Sequence, residues 1–112
     1  MLSLLLVLAV DPPTLDRART CQAHVELLME DAMREVGQVA GPTWFIRDWW
    51  NEQAEAAGAP GDDSVALAAR KEALNRLRLA DPEAFQTGRG GCVDTAIDAG
   101  AVPGMARVRP GD

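Results

Sequence analysis

The sequence predicts an all-α protein: a compact antiparallel bundle of about four helices, with an apolar N-terminal segment and an extended C-terminal tail. Two observations support this fold class. Apolar residues recur at three- and four-residue intervals in long stretches, and proline, glycine and capping residues separate those stretches. No stretch alternates apolar and polar residues over the length of a strand. Four helices joined by short turns pack most simply as an antiparallel bundle.

The composition limits the classes of protein to which the chain can belong. Its 112 residues suit one ordinary domain, and 47% hydrophobic with 25% charged residues excludes wholesale disorder. The net charge of −6 argues against nucleic acid as a partner and against docking on anionic lipid. No apolar run reaches the ~18 residues of a membrane-spanning helix. We divide the chain into an N-terminal segment (1–9), a helical bundle (10–100) and a loose tail (101–112).

The first predicted helix extends from Leu15 to Val36 and contains neither glycine nor proline. Thr14 suits its N-cap and Gly37 its end. Glu30 and Arg34 are spaced for an i,i+4 ion pair on its polar side. Its apolar face comprises Ala18, Cys21, Val25, Leu28, Ala32 and Val36, and is widened by Leu27, Met29 and Met33.

The second predicted helix, Thr43 to Ala57, follows Gly41-Pro42 and ends at Gly58. The third extends from Val65 to Ala80 after three residues that can cap a helix, Asp62, Asp63 and Ser64. Small side chains let helices approach closely, so we expect the core face of the third helix to be Ala66, Ala69, Ala73, Leu77 and Ala80, with Leu67 and Leu74 beside it.

The fourth predicted helix begins at Asp81-Pro82-Glu83, a cap followed by a first-turn proline and acid, and ends at Gly100. Three glycines interrupt it, and each costs a helix interior roughly 1 kcal/mol relative to alanine. The sequence leaves two alternatives open. Either the helix breaks near Gly88, or it continues and presses closely against the tryptophan-bearing second helix through Gly88, Gly90 and Gly91.

The N-terminal segment Met1–Val10 contains no charged residue. It resembles the apolar region of a secretory signal, with Val7-Leu8-Ala9 as a cleavage site, although no lysine or arginine precedes the run. The alternative is an apolar segment that stays and packs on the body of the protein. The two prolines of Asp11-Pro12-Pro13 make a stiff connector and a natural boundary after it.

Cys21 and Cys92 are the only cysteines, and each lies on the apolar face of its helix. The first and fourth helices are neighbours in an up-down bundle, so the two residues can meet. If the chain is exported, an oxidising compartment favours a disulfide between them. The alternative is a pair of buried thiols that act as small hydrophobic residues.

Cys21 and His24 share one side of the first helix, which raises a second possibility for the cysteines. A metal site or a thiolate–imidazolium pair needs such a pairing, but zinc needs more ligands, and Cys92 and Asp94 are the only convenient ones. The interpretation we prefer is a histidine at the rim of a helix face. We therefore expect neither a metal nor a cofactor.

Aromatic residues concentrate in the second helix, where all three tryptophans and one of the two phenylalanines lie between residues 44 and 50. One interface does not easily bury three indoles that project to different sides. We assign the core role to Phe45, Ile46 and Trp49. Trp44 or Trp50 is then expected to stay partly exposed, with Arg47 stacked on a ring. The candidate binding residues are Trp44, Arg47 and Trp50.

The function that these features favour is protein–protein binding by a small exported helical protein, periplasmic or secreted, with a chaperone-like, inhibitor-like or accessory role and no catalysis. The layout is similar to that of small periplasmic helical proteins with one disulfide, a group that includes acid-stress chaperones. This likeness is one of architecture and carries over no site residue. Two alternatives remain: an accessory subunit of a larger or membrane-associated assembly, held by an uncleaved N-terminus, and a metal- or thiol-dependent protein using Cys21, His24 and Cys92.

Overall fold

Four α-helices make up most of residues 12–60 and 63–105, the parts of the chain that a computed structural model describes. They are α1 (Leu15–Val36), α2 (Gly41–Ala56), α3 (Ser64–Ala80) and α4 (Pro82–Asp98). The predicted all-α class is confirmed. The first helix has the predicted ends, and the others differ by one or two residues. The apolar segment 1–9 and the tail from residue 106 lie outside the described residues.

Capping explains why the helices begin and end where they do. The Thr14 hydroxyl accepts from the Arg17 amide at 3.1 Å, and Gly37, at φ 78°, ends α1 in the left-handed conformation. The carboxylates of Asp63 and Asp81 accept from amides in the first turns of α3 and α4. Helix α2 has no side-chain cap and begins with a proline in its first turn.

The helices are arranged around a central pair, α1 and α4. Both members of this pair contact α2 on one side and α3 on the other, but no Cα atom of α2 lies within 8 Å of one of α3. Helices α1 and α3 run in the same direction, since Arg19 pairs with Asp63 near their starts and Asp31 with Arg78 near their ends. One side of α1 therefore lies open between α2 and α3.

This arrangement divides the interior into two clusters. The first fills the space between α1, α2 and α4 and centres on Trp50 and the two cysteines, with Val25, Ile46, Ala54 and Ala96 around them. The second fills the space between α1, α3 and α4 and is smaller, consisting of Ala23, Leu27, Leu74 and Phe85. The pair α1–α4 contributes to both clusters, so a link between these two helices stabilises the whole molecule.

Helix α3 is rotated from the predicted orientation. The expected alanine stripe is largely exposed, whereas Leu74 is buried and Leu67 is half-buried. Two leucines remove more apolar area from water than the alanines of the stripe, so the helix turns to bury them. The rotation also brings Arg70, Lys71 and Arg78 against α1, where each forms an ion pair.

Helix α4 continues through its glycines, which decides between the two alternatives. The close approach is to α1 and not, as expected, to α2: a Cβ on Gly88 would lie 2.9 Å from Nε2 of His24. Gly90 has nothing within 4 Å of such a Cβ. Only Gly88 is therefore required by packing, and Gly90 carries the helix penalty without that benefit.

Alanine substitutions at these two glycines are expected to change stability in opposite directions. Gly90→Ala removes a helix penalty and should raise the free energy of unfolding by about 0.5–1 kcal/mol. Gly88→Ala forces a methyl group onto the buried ring of His24 and should lower it by about 1–3 kcal/mol. Urea denaturation of both variants measures the difference. Equal shifts would show that α4 does not approach α1 at Gly88.

The start of the predicted loose tail is in fact packed. Val102 is 4% exposed and belongs to the first cluster, and the Ala101 amide donates to the carbonyl of Ala96 at 3.0 Å. The glycines and prolines of this segment predicted a loose tail, but Val102 among them is apolar and packs into the core formed by α1, α2 and α4.

Candidate functional site

A disulfide joins Cys21 to Cys92, as the sequence predicts. Both residues are buried, and their Cα atoms lie 5.4 Å apart. The bond ties the central pair of helices together. The indole Nε1–H of Trp50 donates to the Cys92 carbonyl at 2.9 Å, which anchors α2 to the same point. Both sulfur atoms are consumed, so the alternative metal site at Cys21, His24 and Cys92 has no thiolate ligand in this state.

The aromatic cluster of α2 separates into a buried and an exposed part, but not along the predicted division. Trp50 is fully buried, and Trp49 packs edge-on against it with ring centroids 4.7 Å apart. Phe45, assigned above to the core, is 48% exposed, and Trp44 is 44% exposed. Trp50 therefore leaves the set of candidate binding residues, because its indole is fully buried between α1, α2 and α4.

Trp44 and Arg47 remain together at the surface. The Arg47 guanidinium lies 4.8 Å from the centroid of the Trp44 ring, and it also pairs with Asp48 at 2.8 Å. The predicted stacking of Arg47 on a tryptophan is confirmed for Trp44. This contact restricts the indole on the side that Arg47 covers.

An apolar recess adjoins Trp44, and sequence reasoning missed it. It is shallow and open to solvent, with a volume of about 480 Å³, and its apolar lining residues are Met29, which is only 8% exposed, Met33, Val39 and Trp44. Val36, 70% exposed, lies one turn beyond Met33 on the same helix face. We call Met29, Met33, Val36, Val39 and Trp44 the Trp44 surface. Its signal in the sequence was an apolar face on α1 too wide for one neighbouring helix to cover.

A polar recess lies further along α1, between the C-terminal half of α2 and the start of α3. Gln22 donates to the side-chain oxygen of Asn51 at 2.9 Å, and Arg19 pairs with Asp63. Glu26 and Glu55 also line this recess, and neither has an ion-pair partner among the described residues. The recess therefore presents two carboxylates that no cation of the described chain neutralises.

Asp31 is the centre of an ion network that the sequence did not predict. It accepts hydrogen bonds from Arg34 at 2.6 Å, Arg78 at 3.0 Å and Arg89 at 2.9 Å. The guanidinium groups of Arg78 and Arg89 lie 4.3 and 4.7 Å from the centroid of the Phe85 ring. Burial acts to raise the pKa of Asp31, but these hydrogen bonds outweigh it and lower the pKa to about 2.

The network changes the ion pairs that were expected. Arg34 bonds Asp31 and not Glu30, while Glu30 pairs with Lys71 of α3. The predicted pair of Glu72 with Arg76 is present at 3.1 Å. A carboxylate at 12% side-chain exposure attracts the arginines because it is less solvated than a surface glutamate.

His24 is buried in the second cluster and not at the rim of a helix face. It is 2% exposed, and its ring lies 5.1 Å from that of Phe85. Burial, followed by the charges of Arg89, Arg17 and Arg78, lowers the pKa of His24 to about 4. The imidazole is therefore neutral near pH 7, and its Nδ1 has no hydrogen-bond partner among the described residues.

Acid is expected to weaken the fold through His24. Because the pKa is 6.5 for an unperturbed histidine and about 4 for His24 in the folded protein, the unfolded chain binds a proton first. The stability that the neutral ring contributes is complete above pH 6.5 and is lost as the pH falls through 4. Urea denaturation at pH 7, 5.5 and 4.5 should show this decline, and His24→Gln should flatten it. If the stability of His24→Gln falls equally steeply with pH, titration of other groups causes the decline.

No family model, curated protein or solved structure matches this chain. Within residues 12–60 and 63–105, no three histidine, cysteine, aspartate or glutamate residues are grouped as metal ligands. None of the helices described is both long and apolar enough to cross a bilayer.

Proposed function

We propose that this chain is a small exported binding protein that holds an apolar segment of another protein on the Trp44 surface and carries out no catalysis. The observation that carries the proposal is the recess itself: Met33 and Trp44 stay 55% and 44% exposed beside it. Contiguous exposed apolar side chains on a small protein mark an interaction site.

The residue types of the Trp44 surface suit protein binding. Methionine is unbranched and polarisable, so the exposed Met33 can adapt to differently shaped side chains. Tryptophan is enriched among the residues that dominate binding energy, and Trp44 is 44% exposed with Arg47 against its ring.

The disulfide supports the exported location in this proposal. Disulfides persist in oxidising compartments and are rare where thiols are kept reduced. Cys21 and Cys92 are buried, and the structure has no free cysteine among the described residues, so the pair has a structural role. Periplasmic or secreted placement is the compartment that fits such a bond.

The proposal is tested with a fluorescein-labelled helical peptide of about 15 residues carrying four leucines on one face. Trp44→Ala should weaken its binding at least 30-fold, corresponding to the roughly 2 kcal/mol of an interface hot spot. Leu79→Ala is the matched control, since Leu79 is 86% exposed on α3 and lies outside the recess. Fluorescence anisotropy gives both affinities, and melting curves check that the variants fold. Unchanged affinity in Trp44→Ala would reject the Trp44 surface as the site.

A further inference from the structure

We infer that the occupant is an amphipathic helix with a basic end, seated lengthwise on α1 in the groove between α2 and α3. This inference rests on the proposed function and names the class of partner. Its starting point is the separation of the α2 and α3 backbones, which leaves one side of the central helix uncovered by the other helices of the described residues. A helix in that position would complete the ring of neighbours around α1.

The floor of the groove is one face of α1. Its residues step by three or four positions along the helix, so they lie in a row. They line the polar recess and then the apolar one in the order Arg19, Gln22, Glu26, Met29 and Met33. At 1.5 Å per residue the row is about 21 Å long, which suits a helix of roughly 15 residues.

The walls of the groove come from the two helices that do not touch. On α2, Trp44, Asn51 and Glu55 share one face and line the two recesses. On α3, Leu67 lines the polar recess, and Lys71, one turn later, reaches Glu30 on the rim of the apolar recess. The two recesses therefore follow one another along α1.

The two ends of the groove differ in chemistry, and this difference selects the partner. The end near Trp44 is apolar, with Met29 and Met33 on its floor. The other end holds Glu26 and Glu55, whose charges have no cationic partner among the described residues. The remaining charged lining residues each have an ion-pair partner, in the pairs Arg19–Asp63, Glu30–Lys71 and Arg34–Asp31, although Asp31 is shared with Arg78 and Arg89. The complement is therefore apolar at one end and basic at the other.

A helix fits this groove better than an extended peptide. An extended peptide gains affinity by pairing with an exposed strand edge, and the described residues contain no strand. A groove between helices instead accepts apolar side chains that recur at i, i+3, i+4 and i+7 on one helix. The net charge of −6 further favours a basic segment during the approach.

The test compares three helical peptides of 15 residues. Each peptide carries leucines at one end, and the other end carries lysine, glutamine or glutamate. Each is made in both sequence orders. Calorimetry at low salt should show the lysine peptide binding at least tenfold more tightly than the glutamate peptide. The double variant Glu26→Gln/Glu55→Gln should remove that preference, and added salt should reduce it. The charge-matched control Glu72→Gln/Glu83→Gln, on surfaces away from the groove, should retain it.

The outcomes separate this inference from the proposed function. If the three peptides bind with equal affinity and Trp44→Ala still weakens binding, the Trp44 surface is the binding site but the partner need not be basic, and the inference fails. If Trp44→Ala also leaves the affinity unchanged, both proposals fail. Sedimentation of the protein without peptide tests for a second copy in the groove. A dimer that Trp44→Ala dissociates would replace the basic helix with self-association and overturn the inference.

Discussion

Reduction of the Cys21–Cys92 disulfide is expected to lower the free energy of unfolding by about 4 kcal/mol, on a chain-entropy argument. The bond closes a loop with a sequence separation of 71 and so restricts most of the chain in the unfolded state. It also joins α1 to α4, the two helices that contribute to both interior clusters. A domain of this size has a total stability of about 5–10 kcal/mol, so the loss is a large share.

Guanidinium denaturation of oxidised protein, reduced protein and Cys21→Ala/Cys92→Ala measures this effect. The reduced protein and the variant should lose similar stability, while far-ultraviolet circular dichroism remains helical below the transition. Thiol titration in denaturant supplies the control, because oxidised protein should show no free thiol. Two reactive thiols in protein made in an oxidising compartment would eliminate the bond and the main support for export.

Asp31→Asn is expected to destabilise the protein by about 3 kcal/mol, the lower end of the range for removing one partner from a buried ion pair. The change keeps the volume of the side chain but leaves three guanidinium groups without their common carboxylate. Two of them, Arg78 and Arg89, lie over Phe85 with side-chain exposures of 29% and 13%, so water cannot fully solvate them. Mutual repulsion between the arginines adds to the loss.

Glu72→Gln is the matched control for Asp31→Asn. Its pair with Arg76 is exposed on both sides, and such surface pairs contribute about 0–1 kcal/mol. Urea denaturation at pH 7 should give free energies of unfolding that differ by at least 2 kcal/mol between the two variants, because the Asp31 pairs are buried and the Glu72 pair is exposed. Equal, small losses would mean that the arginines around Asp31 are solvated like surface residues.

The features predictable from the sequence were those that local chemistry determines. Thr14, Gly37 and Asp81 act on amides and carbonyls within a few residues, so the helix ends follow from them. The disulfide was also predictable. Placing Cys21 and Cys92 on inward faces of the first and last helices requires only helical spacing and the adjacency of those helices.

The features that were missed depend on competition between helix faces. Helix α3 carries both an alanine stripe and a pair of leucines. The spacing of these residues in the sequence does not determine which set is buried, because that depends on the positions of α1 and α4. That rotation brings Arg78 to Asp31, so the ion network could not be predicted without it. The choice of Trp50 over Phe45 for the core likewise depends on how much space α1, α2 and α4 leave between them.

The Trp44 surface was predicted only in part. Trp44 and Arg47 were named from the crowding of aromatics in α2, but the recess beside them needs Met29 and Met33 from α1. Its exposure results from the absence of contact between α2 and α3, a property of the whole arrangement. No local pattern signals that a bundle of four helices leaves one side of its first helix open.

The measurement that most directly tests binding in the groove is amide chemical-shift mapping of isotope-labelled protein titrated with the lysine-ended peptide. We expect the chemical-shift changes to concentrate along the α1 face from Gln22 to Met33 and at Trp44 and Asn51. The amide shifts of α4 should stay largely unchanged. Shifts centred on α4 or on the exposed face of α3, or no shifts at all at saturating peptide, would contradict binding in the groove.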